Sequence, residues 1–110
     1  MFKRGLLMRN MNDLVRQATV IQNKIAALRQ EAANTNYEAS SGGGIVKATV
    51  SGAQEVKALV IDPKALEDGD VEMLQDLVIS AINEAIRISK ESLEREMTNL
   101  SGGIRLPGIF

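Results

Sequence analysis

Cysteine, histidine and tryptophan are absent from this sequence, proline occurs twice, and Phe2, Tyr37 and Phe110 are its only aromatic residues. Without His or Cys the chain can build neither a Ser-His-Asp nor a Cys-His triad. It forms no disulfide and denies zinc its usual nitrogen and sulfur ligands. A cysteine-free chain fits a reducing cytosol. Long apolar runs are missing too: Gly5-Leu6-Leu7-Met8 is the only gap between the basic residues Lys3-Arg4 and Arg9. A signal peptide needs about 7–15 apolar residues and a membrane span about 20. The expectation is a soluble, cytoplasmic protein with no membrane partner.

What remains is 110 residues, 45% hydrophobic and 25% charged. That length and balance describe one folded domain over residues 1–110 rather than a disordered chain. Its core has to come from Ile, Leu, Val, Met and Ala. A chain this small buries a modest core, which invites a second subunit. The net charge of −1 conceals a polarity. Residues 1–30 carry Lys3, Arg4, Arg9, Arg16, Lys24 and Arg29 against Asp13 alone, a net of +5. Residues 31–70 set three lysines against seven acids, a net of −4, and residues 71–110 set four bases against six acids, a net of −2. Charge distribution bears on partners more than the sum does.

Met11, Leu14, Ala18, Ile21, Ile25, Leu28 and Ala32 are spaced alternately three and four apart, with no Pro or Gly between Leu6 and Ser41. The spacing predicts a helix over 10–34, about 37 Å long, started by Asn10 or Asn12, after a flexible basic stretch over 1–9. Arg9 and Arg16 fall opposite the apolar seam, and Lys24 and Arg29 flank it. Such a helix could lie on its own sheet. Alternatively it projects, pairs with another helix and shows a basic edge to a polyanion. The near absence of acids favours projection, because ordinary solvated faces mix Glu with Lys.

Beyond Gly42-Gly43-Gly44, the β-rich Ile45 to Val50 and Glu55 to Ile61 flank the turn Ser51-Gly52-Ala53-Gln54, which predicts a hairpin. Thr35 to Ser40 can add a third, edge strand, giving a sheet within 35–61; without it the order would be α-β-β-α. Asp70 caps a final helix over 70–100. Its first half has a broad apolar face, including Leu74, Leu77, Val78, Ala81, Ile82 and Ala85, suited to a sheet. After Ser89 the stripe narrows to Leu93, Met97 and Leu100, so the second half projects. Residues 101–110 form a loose tail. The fold class is α+β, with the order α-β-β-β-α: a small antiparallel three-stranded sheet and two long helices.

No motif points to catalysis. The glycines lead into a strand and lack the Gly-Lys-Ser/Thr that a phosphate loop requires. Asp62, Glu67, Asp68 and Asp70 lack the order of a calcium loop, and turn and capping chemistry accounts for Asp62, Asp68 and Asp70. The chain reads as a non-enzyme with no metal and no cofactor. Base-reading modules are missing as well, so a nucleic acid would be held mainly by its phosphates.

The central residues are more specific. Ser41-Gly42-Gly43-Gly44-Ile45-Val46-Lys47-Ala48-Thr49-Val50-Ser51-Gly52, then Val60-Ile61-Asp62-Pro63, Leu74-Gln75-Asp76-Leu77 and Ala81-Ile82-Asn83-Glu84-Ala85 resemble the signature of the YbaB/EbfC family of bacterial nucleoid-associated DNA-binding proteins. The resemblance extends from the basic N-terminus to Leu106-Pro107-Gly108. It departs at Gln75, where the family usually has Glu, and in an Arg-rich rather than Gly-rich N-terminus. It implies a tweezers-like homodimer whose sheets and the first halves of the last helices form the interface. Ile45, Val50, Leu59, Leu74, Val78, Ala81, Ile82 and Ala85 are the interface candidates.

The expected function is nucleoid-associated binding of double-stranded DNA, with a role in nucleoid organisation or gene regulation. Arg9, Arg16, Lys24 and Arg29 are assigned to phosphate by charge, with Lys3 and Arg4 as a clamp and Lys90 and Arg95 as weaker contributors. The competing reading is an adaptor whose heptad helices bind replication or repair proteins.

Overall fold

The computed structural model describes the backbone of residues 2–103 and the side chains of residues 10–101. A long helix, α1 (Phe2–Ala33), is followed by strands β1 (Asn36–Ser41), β2 (Val46–Ser51) and β3 (Val56–Ile61), and then by a second long helix, α2 (Val71–Gly103). The strands form one antiparallel sheet in the order β1-β2-β3, with a bulge between Thr49 and Val50. This is the α-β-β-β-α order expected from the sequence. The first helix starts at Phe2, ahead of the cap read at Asn10 or Asn12, because Leu6, Leu7 and Met8 are good helix formers and no proline stops them. The final helix runs to Gly103 rather than ending at residue 100. Residues 104–110 of the expected tail lie outside the described residues.

Local chemistry accounts for the joints. Gly42, Gly43 and Gly44 all have positive φ, at 61°, 70° and 98°, which lets three residues reverse the chain between β1 and β2. The Asp62 carboxylate accepts the Lys64 N–H at 3.0 Å, and the Asp70 carboxylate accepts the Met73 N–H at 3.0 Å. The second is an N-cap on α2, a feature worth about 1 kcal/mol over alanine. Two members of the acidic loop are thereby engaged as caps.

The first half of α2 covers one face of the sheet, over β1 and β2. Small residues set the distance: Ala81 and Ala85 meet Val46, Ala48 and Val50, all with no exposed surface, and Ala39 on β1. The Ser41 hydroxyl donates to the Leu77 carbonyl at 2.6 Å and ties β1 to the helix. Val46 and Val50 are the largest fully buried apolar side chains, so the core of a single chain is small.

The first helix does not lie on the sheet. Ile21, Ile25 and Leu28 are half-buried and Ala32 is buried near α2, whereas every residue from Asn10 to Val20 is exposed. The chain measures 83 × 21 × 18 Å and has a radius of gyration of 22.2 Å. A compact chain of this length would have about 13 Å. Two helices project from a small body.

Candidate nucleic-acid interface

By sequence α1 carries six cations against two acids. Arg16, Lys24 and Arg29 are exposed, and none forms an ion pair among the described residues. Asp13 and Glu31 are the only acids on the helix. Arg16 and Lys24 are about 12 Å apart along the axis and about 80° apart around it, on the solvent side. Arg29 lies on the other flank of the seam, nearer the body. The backbone places Arg9 one heptad before Arg16, while the side chains of Lys3, Arg4 and Arg9 lie outside the described residues. The cations therefore wrap the rod and form no flat reading face, an arrangement suited to phosphates rather than base edges.

The distal half of α2 differs. Lys90 and Arg95 are exposed, but Glu91, Glu94 and Glu96 surround them. Arg87 bonds Glu84 one turn before it and Glu91 one turn after it, with its Nη1 donating to Glu91 at 2.6 Å. The Arg87 hydrogen bond holds the Glu84 carboxyl below its ordinary pKa, and the two carboxylates hold the Arg87 guanidinium above its own. This cation is already neutralised within the helix.

A second surface lies beside the core. Through the strand register, Leu59 and Ile61 share the α2-facing side of the sheet with Ala48 and Val46, and Val56 pairs with Val50 there. However, α2 sits over β1 and β2. Val56 is therefore 50% exposed and Leu59 41%, and Ile79 on the helix is 56% exposed. Ile61, Val78 and Ile82 pack half-buried on the Val46, Ala48 and Ala81 cluster, while Leu59 on β3 and Ile79 on α2 stay exposed. Of the interface candidates, Leu59 is exposed and Ile45, Leu74, Val78 and Ile82 are half-buried around it. Val50, Ala81 and Ala85 are completely covered by their own chain and support that surface from beneath. Val56 and Ile79 are exposed apolar residues outside the interface candidates read from the sequence. The uneven alternation of Val56-Lys57-Ala58-Leu59-Val60-Ile61 was the available signal, since near-continuous apolar strands are usually covered on both faces.

The sequence profile of the YbaB/EbfC DNA-binding family matches residues 8–104. The chain belongs to that family. Among curated relatives, a nucleoid-associated protein of Moorella thermoacetica is 48% identical over 102 residues, covering 93% of this chain and 98% of the relative. One from Desulforamulus reducens is 44% identical over 101 residues, covering 92% and 96%. The crystal structure of an uncharacterized protein from Helicobacter pylori superposes with a TM-score of 0.67 at 26% identity, covering 79% of this chain and 91% of that one. The match to the YbaB/EbfC family takes in the exposed helix, the hairpins and the sheet-covering helix together.

Proposed function

We propose that the chain is a nucleoid-associated protein of the bacterial cytoplasm that binds double-stranded DNA as a homodimer, mainly through phosphate contacts from α1. The observation that carries this reading is a projecting helix whose described cations, Arg16, Lys24 and Arg29, have no ion-pair partner among the described residues, in a member of a DNA-binding family. Lys3, Arg4 and Arg9 extend the same arm by sequence. Lys90 and Arg95 contribute less, because the acids of α2 offset them. No described helix is long and apolar enough to cross a membrane. Two-fold symmetry would double the arm charge of +5 to +10, while acids elsewhere in the chain limit indiscriminate adhesion.

Titrating labelled duplex DNA with protein at several salt concentrations tests the contact. A log–log slope of about −4 to −8 is expected, at about −0.9 per neutralised phosphate. No binding even at low salt would exclude this function and return attention to helix pairing with other proteins, which responds little to salt.

The exposed apolar residues of β3 support the dimer. A second copy laid against Leu59, Val56 and Ile79 would cover the open third of the sheet and enlarge a core too small for one chain. Leu59→Asp leaves the buried residues of the single chain in place. It should convert the species sedimenting at twice the chain mass into one of single mass. An unchanged dimer would place the interface elsewhere.

A further inference from the structure

Five described residues have positive φ. Gly42, Gly43, Gly44 and Gly69 are four of them, and the fifth is Gln54 at φ 66°. A left-handed backbone suits glycine, so a glutamine held there works against its own preference unless the side chain supplies something in return. Its amide spans two elements. Nε2 donates to the Ser89 hydroxyl at 3.0 Å and reaches the Gly52 carbonyl at 3.3 Å. Ser89 is 2% exposed, and its hydroxyl donates a hydrogen bond to the Ile86 carbonyl at 2.8 Å.

Both ends of this chain of bonds are placed where the arms leave the body. Ser89 lies in the middle of α2, just before Ser92, Leu93 and Glu96, which line a cleft with Tyr37 on β1 and with Leu28, Glu31 and Ala32 at the end of α1. The same turn holds the end of α1: the Gly52 N–H donates to the Thr35 carbonyl at 3.0 Å, and Thr35 N–H donates to the Ala32 carbonyl at 3.0 Å. The tie thus joins the last turn of α1, the β2–β3 turn and the middle of α2.

We infer that Gln54 is a positioning residue that sets the direction of the arms through Ser89, so that their cations meet DNA with the right spacing. This rests on the DNA-binding reading above. Gln54 touches no phosphate; it acts through the helices it joins.

Gln54→Gly tests the idea cleanly, because glycine accepts the left-handed backbone and only the side-chain tie is lost. The chain has no cysteine, so Asn12→Cys and Ser80→Cys take spin labels at defined sites on α1 and on the body, diluted into unlabelled protein to isolate distances within one chain. In Gln54→Gly the distance distribution should broaden while the unfolding midpoint stays within a few degrees. Affinity for duplex DNA should fall about 3–10-fold with the salt slope unchanged, since the same phosphates are still available. Ser89→Ala should weaken binding in the parent chain and add nothing in Gln54→Gly, as expected when both belong to one interaction.

A parent-like distance distribution in Gln54→Gly overturns the proposal, and so does unchanged affinity when the parent binds. Failure of the parent to bind DNA overturns the functional reading instead. The distance distribution then decides by itself whether the tie aims the arms.

Discussion

Reversing Arg16 and Lys24 together to glutamate should weaken duplex binding by roughly 100-fold or more and flatten its salt dependence. Both side chains are exposed and neither has an ion-pair partner among the described residues, so no fold contact is lost when they change. Each reversal removes a phosphate contact and adds a repelling carboxylate. In a dimer four such contacts disappear, and the slope should fall by about four. The circular dichroism and sedimentation of the variant should match the parent, which separates lost contact from lost fold. Unchanged affinity would remove α1 from the interface. Reversing Lys90 and Arg95 provides the comparison. Their neighbours Glu91, Glu94 and Glu96 already repel phosphate, so a smaller loss is expected there.

The largest effect on stability is expected at Gly52. An added Cβ would collide with the carbonyl oxygen and carbon of Ala32 and sit 3.1 Å from the Ala33 nitrogen. All three are backbone atoms at the end of α1, and hydrogen bonds from Gly52 and Thr35 hold that end against the turn. No flexible side chain can move aside. Gly52→Ala should therefore cost about 3–4 kcal/mol, a strong overpacking penalty, and lower the unfolding midpoint by about 15–25 °C. Gly43→Ala gives the scale for backbone strain alone: it has φ 70° and nothing within 4 Å of the added carbon, so about 1 kcal/mol is expected. Equal midpoints for the two variants would show that the turn yields to the collision and does not anchor α1.

These effects arise at positions of very different legibility. The seam from Met11 to Ala32 could be read directly, because a repeat of three and four is a property of neighbouring residues. The cap at Asp70 could be read for the same reason, since its carboxylate reaches the N–H three residues on. The hairpin of β2 and β3 followed from apolar, β-rich runs around a glycine-containing turn, while β1 rested only on a poor helix-forming stretch before the triple glycine. The basic excess on α1 is a matter of composition. Arg87 was harder: its spacing from Glu84 and Glu91 permits pairing, but only coordinates show one guanidinium serving both carboxylates.

Gln54 and Ser89 stood beyond the reach of pattern. They are 35 residues apart, and no periodicity links a turn to the middle of a later helix. The same holds for Gly52, which looks like an ordinary turn glycine until Ala32 is found against it.

By itself the sequence determined the type and order of the elements, the apolar seams of the two long helices and the positive charge of the first. It also carried the resemblance to the YbaB/EbfC family. Tertiary structure decided that α2, and not α1, covers the sheet, that β3 keeps an apolar face open, and that among the described residues Arg16, Lys24 and Arg29 on α1 form no ion pair while Arg87 does. The reason is physical. Helix and strand preferences are set by interactions a few residues long, whereas exposure and pairing depend on which surfaces meet once the chain has closed on itself.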